Sequence, residues 1–133
     1  MACSLNPGNN RQTRMLAQFT DKFNFCNEIF DREDFDRELF KRAKATLDSF
    51  VYFALNEYHH LSKVLFERQF AERIFKFKKD VKQFNQTTAD DLYQRVSPEV
   101  LRNIERINHL DRKLYSYAVE LFFQRLKFYD ILF

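Results

Sequence analysis

The period of the hydrophobic pattern changes once, in the middle of the chain. Residues 50–55, FVYFAL, form an unbroken apolar run rich in aromatic and β-branched side chains. Such a run is too short for a helix and has the character of a strand buried on both faces. On either side the spacing is helical. Phe35, Leu39, Ala43 and Leu47 recur every four residues, with Arg37, Lys41, Arg42 and Lys44 elsewhere around the same helix. After the run, Asn56 offers a capping side chain, and Tyr58, Leu61 and Leu65 mark the next apolar face. Residues 35–70 are therefore predicted to be helix, strand, helix. A single strand leaves its backbone groups unpaired, so this unit calls for sheet partners.

The flanking segments add short elements. Residues 3–10 are loop-like, with Pro7, Gly8 and a pair of asparagines, and a short helix is predicted over 11–19, capped by Asn10. Leu16 and Phe19 would share its apolar side, and 21–34 reads as an acid-rich connection. Residues 71–96 mix scattered phenylalanines with lysines and read as a further connection. Ser97-Pro98-Glu99 is a strong helix start, an N-cap followed by proline at the first helical position. That helix runs to about Ile107. Asn108 and Asp111 then repeat the capping pattern, in the manner of a capping box. Leu110, Leu114, Tyr117, Ala118 and Leu121 form the stripe of a long closing helix that ends near Tyr129.

Composition points the same way. The chain has 133 residues, enough for one domain, with 45% hydrophobic and 31% charged residues. There are 17 phenylalanines, no tryptophan, one glycine and two prolines, so hairpin punctuation is nearly absent and a mainly α chain is expected. The formal charge of +3 is mild and its acids and bases are interleaved, which gives little support for a nucleic-acid partner. No apolar run reaches the roughly 18–20 residues that cross a bilayer. The segment MACSLNPGNNRQTRM has no apolar core of a secretory signal, so the pattern alone reads as cytosolic. Cys3 and Cys26 permit one bridge or two free thiols.

Candidate chemistry is sparse. His59 and His60 are adjacent on a helix and point about 100° apart, so they do not serve one metal together. His109 belongs to a helix first turn, and no Cys/His cluster has the spacing of a metal site. No carboxylate pair is singled out as acid and base, and Gly8 alone makes no phosphate loop. The lysines from Lys76 to Lys82 read as a solvated face before a polyanion contact. The most unusual polar stretch is NNRQTRM. Arg11 and Arg14, three apart on a first turn, project to one side, and Thr13 with free backbone N–H groups would add a seat for phosphate or sulfate. The plainer alternative is a surface helix start. Asn85-Gln86-Thr87 has the pattern of an N-glycosylation acceptor.

NNRQTRML after a cysteine, an apolar strand, LFERQF, and then NIERINHLDRKLYSYAVELFFQRL together resemble the carboxy-terminal part of heparan-sulfate 6-O-sulfotransferases. The resemblance runs from Cys3 to about Tyr129. It implies that residues 1–133 are the helix-rich, carboxy-terminal portion of one α/β sulfotransferase domain of P-loop-like type. The family implies a type II membrane protein facing the Golgi lumen, joined to the membrane through a segment outside this chain. Its members transfer sulfuryl from 3′-phosphoadenosine 5′-phosphosulfate (PAPS), without a metal, to the 6-hydroxyl of glucosamine in heparan sulfate. By the same resemblance Cys3 and Cys26 become a luminal disulfide and Asn85 a glycan site. Asn10, Arg11, Gln12, Thr13 and Arg14 become donor- or substrate-binding residues.

The sequence also departs from the family. The Gly-rich donor loop, the catalytic histidine and the Arg/Ser pair for the donor's 3′-phosphate have no counterpart in it. His59 and His60 fall in a later helix and do not inherit the catalytic role. No catalytic residue is assigned, Met1 reads as the start of a fragment, and the chain alone is expected to be inactive. The rival expectations are a non-enzymatic helical module for an anionic partner and a structural piece that pairs with itself through the 50–55 strand.

Overall fold

The computed structural model describes residues 9–17, 32–70 and 94–132. Within them lie helices α1 (Arg11–Leu16), α2 (Arg32–Ser49), α3 (His59–Phe70), α4 (Pro98–Ile107) and α5 (His109–Phe128), with a 3₁₀ turn at Asn56–Tyr58. α5 is the spine. Its buried residues, Leu110, Leu114, Ala118, Phe122 and Leu126, recur at every fourth position. An α-helix turns every 3.6 residues, so a four-residue repeat drifts about 40° per step and winds around the helix. The stripe therefore meets different neighbours along its length. α1 and α2 pack on α5 and on each other, and α4 packs on α5. Towards its carboxyl end Phe122 meets the rings of Phe53 and Tyr58, with centroids 6.2 and 6.1 Å away.

α2 supplies the opposing wall through Leu39, Ala43 and Leu47, all buried, with Phe35 packed at the margin. The helix begins at Arg32, three residues before the expected start. Glu33 and Asp34 occupy its first turn, where carboxylates oppose the helix dipole favourably. α3 contributes the fully buried Leu65, while Tyr58 and Leu61 are partly covered. α4 begins as expected, with the Ser97 hydroxyl accepting from the Val100 amide and Pro98 beside it. Its apolar side remains open: Val100, Ile104 and Ile107 are all exposed.

α5 stops at a well-formed cap. Asp130 adopts a left-handed backbone (φ 54°), its amide donates to the Lys127 carbonyl, and the Ile131 amide reaches back to Leu126. These are the two bonds of a Schellman ending, with aspartate at the position usually given to glycine. α1, by contrast, closes at Leu16, short of the expected Phe19, which lies outside the described residues.

The expected strand at 50–55 is not formed, and no strand occurs among the described residues. The chain bends at Val51 and is extended at Leu55, and nothing among those residues runs beside it to complete a ladder. Side chains bond the backbone at Val51 and Leu55 instead. The Ser62 hydroxyl accepts from the Leu55 amide (3.1 Å) and donates to the Leu55 carbonyl (3.2 Å). Gln69 Nε2 and Arg125 Nη1 both donate to the Val51 carbonyl. Its rings face the helices: Tyr52 meets Phe66 edge-on at 5.0 Å, and Phe53 lies under the Arg125 guanidinium at 4.9 Å. Val51 stays 71% exposed. The cap expected from Asn56 is not made either, because Leu55 holds the cap position of the 3₁₀ turn with an extended backbone and no side-chain bond.

Two tyrosines clamp α5 to its surroundings. Tyr117 donates to the Asp48 carboxylate at the end of α2, and Lys44 sits 4.3 Å above its ring. Tyr115 donates to Glu57 at 2.8 Å. The bond to Asp48, then burial, pushes the Tyr117 hydroxyl up to about 12, and burial followed by the bond to Glu57 does the same for Tyr115. No helix among the described residues is long and apolar enough to cross a membrane.

Two outcomes are expected. Phe122→Ala, at a fully buried position, should cost about 3–5 kcal/mol in urea unfolding; a loss below about 1 kcal/mol would contradict its central place. The folded chain keeps Tyr115 and Tyr117 protonated beyond the ordinary value of 10.0. More protons are then bound folded than unfolded, so stability should fall as pH rises from about 10 to about 12. Ultraviolet titration of the folded chain should show Tyr115 and Tyr117 ionising late, with Tyr52 also raised by burial, and a urea midpoint unchanged across that interval would contradict the assignment.

Candidate functional site

The polar stretch at residues 9–14 lies against the start of α5, about a hundred residues further along the chain. The two helix starts cap each other. α1 is short, and its own N-cap, Asn10, has a left-handed backbone (φ 48°, ψ 44°) that is tolerated by asparagine better than by most residues. Its side chain makes no cap bond to α1. Asn10 Oδ1 instead accepts from the amides of Leu110 (2.9 Å) and Asp111 (3.3 Å), which belong to the first turn of α5. The return bonds come from Asp111. Its Oδ1 accepts from the Thr13 amide (2.8 Å) and the Thr13 hydroxyl (2.6 Å), and its Oδ2 from the Gln12 amide (3.3 Å).

Asn108 closes the knot. Its Oδ1 accepts from the Asn10 amide (3.1 Å), while its Nδ2 donates to the Ile104 carbonyl at the end of α4 (3.0 Å). Each helix start thus has amides satisfied by a side chain from the other, in place of the local caps expected at Asn10 and in the Asn108/Asp111 capping box. The physical cause is burial. Thr13 is fully buried and Asn10 is 8% exposed, so donors there need partners that water cannot provide. A carboxylate from a rigid neighbouring helix supplies them with charge-assisted bonds.

The five residues expected to bind donor or substrate divide into two groups. Asn10 and Thr13 face inward and hold the knot. Arg11 and Gln12 are exposed and Arg14 is half-buried. The amides of Gln12 and Thr13, expected to be free for an anion, already bond to the chain's own carboxylate. An external phosphate or sulfate would have to displace Asp111 from them; what α1 offers outward is the side chains of Arg11, Gln12 and Met15. Asp111 is the residue that sequence reasoning assigned to its own helix and so missed. The visible signal was an Asx residue at each of two helix starts, which leaves open whose amides each one meets.

A second link joins α2 to α5 beside the knot. His109 Nε2 lies 3.2 Å from Asp36 Oδ2, and Nδ1 lies 3.1 Å from the Arg106 carbonyl. His59 and His60 are exposed on α3. No group of three or more metal-ligating side chains occurs among the described residues. Cys3, Cys26, Asn85 and the lysines at 76–82 lie outside the described residues.

No family model matches the chain, and no solved structure matches it. Curated proteins do. Heparan-sulfate 6-O-sulfotransferase 2 of Homo sapiens is 34% identical over 128 residues, 96% of this chain and 20% of the relative. Heparan-sulfate 6-O-sulfotransferase 1 of Cricetulus griseus is 34% identical over 96% of this chain and 31% of its own length. Heparan-sulfate 6-O-sulfotransferase 3 of Mus musculus is 35% identical over 94% of this chain and 26% of its own length. The chain thus spans between a fifth and a third of the curated relatives it matches.

The knot yields one expected outcome. Thr13→Val keeps the side-chain shape and removes the hydroxyl that donates to Asp111. Its loss should cost about 1.5–3 kcal/mol in urea unfolding, the range for a bond to a charged group; an unchanged midpoint would contradict the bond's contribution. Nearly the whole of this sequence is thus similar to one segment, a fifth to a third in length, of heparan-sulfate 6-O-sulfotransferases.

Proposed function

We propose that this chain forms part of a heparan-sulfate 6-O-sulfotransferase, one that moves a sulfuryl group from PAPS to the 6-hydroxyl of glucosamine residues in heparan sulfate. The observation that supports this is the match of about 34% identity along 96% of the chain to relatives of that name. It favours an enzyme over a non-enzymatic module for an anionic partner. In such a transfer the hydroxyl oxygen bonds to sulfur, the bond from sulfur to the phosphate oxygen breaks, and the hydroxyl proton passes to a base. Positive charge beside the departing phosphate and a positioned base lower the barrier.

The described residues supply binding surface to that reaction and no assigned base. The amino end of α1 does not fit the phosphosulfate of the donor, because Asp111 occupies its Gln12 and Thr13 amides. Arg11 and Gln12, presented outward, fit a contact to the sulfated polysaccharide or to the donor's outer phosphate. Cys3 and Cys26 as a disulfide, Asn85 as a glycan site, and a Golgi-lumenal, type II setting complete the same reading. Each follows from the family resemblance. The helix-rich segment then serves as one wall of an α/β sulfotransferase domain. The 50–55 segment, with Val51 exposed, is the side on which other parts of such a domain would pack.

The purified chain should bind heparan sulfate in calorimetry with an affinity that falls steeply with salt, as for other polyanions. Arg11→Ala should weaken binding about fivefold, the equivalent of one partly exposed ion contact of about 1 kcal/mol. The chain alone should release no adenosine 3′,5′-bisphosphate from PAPS. Absence of binding, or turnover by the chain alone, would contradict this reading of its part in the enzyme.

A further inference from the structure

We propose that Asp111 is the positioning residue that presents Arg11 and Gln12 to a sulfated polysaccharide. This rests on the functional reading above and goes beyond it, by naming what fixes the geometry of that contact. α1 has six residues, fewer than an isolated helix needs to persist in water. The direction of Arg11 therefore depends on whatever holds α1 from outside. α2 packs along one side of it, and the polar holder at its amino end is Asp111, which accepts three bonds from Gln12 and Thr13. It stands in the first turn of the 20-residue α5, between the buried Leu110 and Leu114. A carboxylate on a long, packed helix is a fixed post, and the arginine beside its ligands inherits that rigidity. Asn10 repeats the tie in the other direction through the Leu110 and Asp111 amides.

Charge alone argues against a carboxylate at this place. A sulfated polymer is a polyanion, so removing a nearby negative charge should tighten binding by bulk electrostatics. If Asp111 positions Arg11, its neutralisation should weaken binding instead. The two effects have opposite signs. Asp111→Asn keeps the size of the side chain but sets an amide donor where an acceptor faced Gln12. The α1 tie then loosens although the net charge rises.

Heparan sulfate binding by the intact chain, measured by calorimetry at fixed salt, separates the two. Asp111→Asn should weaken binding about fivefold. Asp130→Asn removes an exposed carboxylate at the far end of α5, roughly 30 Å away by helix rise, and should leave binding equal or slightly tighter. In a double-mutant cycle, Arg11→Ala should cost about fivefold in the wild-type chain and less than twofold beside Asp111→Asn. Thr13→Val, which removes one of the three bonds and leaves the carboxylate, should shift binding in the same direction if Asp111→Asn does not fold. Binding of Asp111→Asn as tight as or tighter than wild type would overturn the proposal, and so would an Arg11→Ala factor that is the same in both backgrounds. A wild-type chain that does not bind heparan sulfate would remove the functional reading first and this proposal with it.

Discussion

The reciprocal cap between α1 and α5 is the constraint on which the arrangement of this chain depends. Two helix starts, about a hundred residues apart in sequence, each need partners for amides that have no acceptor within their own helix. Asn10 and Asp111 exchange that service, and Asn108 adds a further bond from the α5 side. Because Thr13 is fully buried, the exchange is no loose surface contact. It sets the register of the first segment on α5 and leaves Arg11 and Gln12 facing out. The anion seat read from the sequence is present in chemistry, and the anion in it is the chain's own side chain.

Around that tie the packing follows from α5. A four-residue apolar repeat that winds about a 3.6-residue helix cannot bury itself against one neighbour. Its early positions are covered from the side of α1 and α2, and its late ones by the rings of the 50–55 segment and the 3₁₀ turn. Ser62, Gln69 and Arg125 then supply the bonds that sheet neighbours would have given to the extended segment.

The helices were legible because their signals are local. The four-residue spacing through Leu39, Ala43 and Leu47, the Ser97-Pro98 start and the end of α5 near Tyr129 each follow from residues a turn or two apart. The 50–55 run was legible as extended but not as unpaired, since a strand is defined by a neighbour that the run itself does not encode. The knot was hidden for a related reason. Asn10 and Asp111 carry the chemistry of caps, but which helix each serves depends on the backbone turn at Asn10 and on contacts across the fold. Local rules name the donor and acceptor, and packing selects the pair. The family, in turn, was legible from residues such as NNRQTRML and INHLDRKLYSYAVELF taken together.

Amide hydrogen exchange on the intact chain tests the mutual cap most directly. If the two helix starts hold each other, the amides of Gln12 and Thr13 and those of Leu110 and Asp111 should be protected together, each slowed at least about a hundredfold relative to an open chain. If Gln12 and Thr13 exchange at the rate of an unstructured segment while Leu110 stays protected, α1 is not tied to α5 and the mutual cap does not exist.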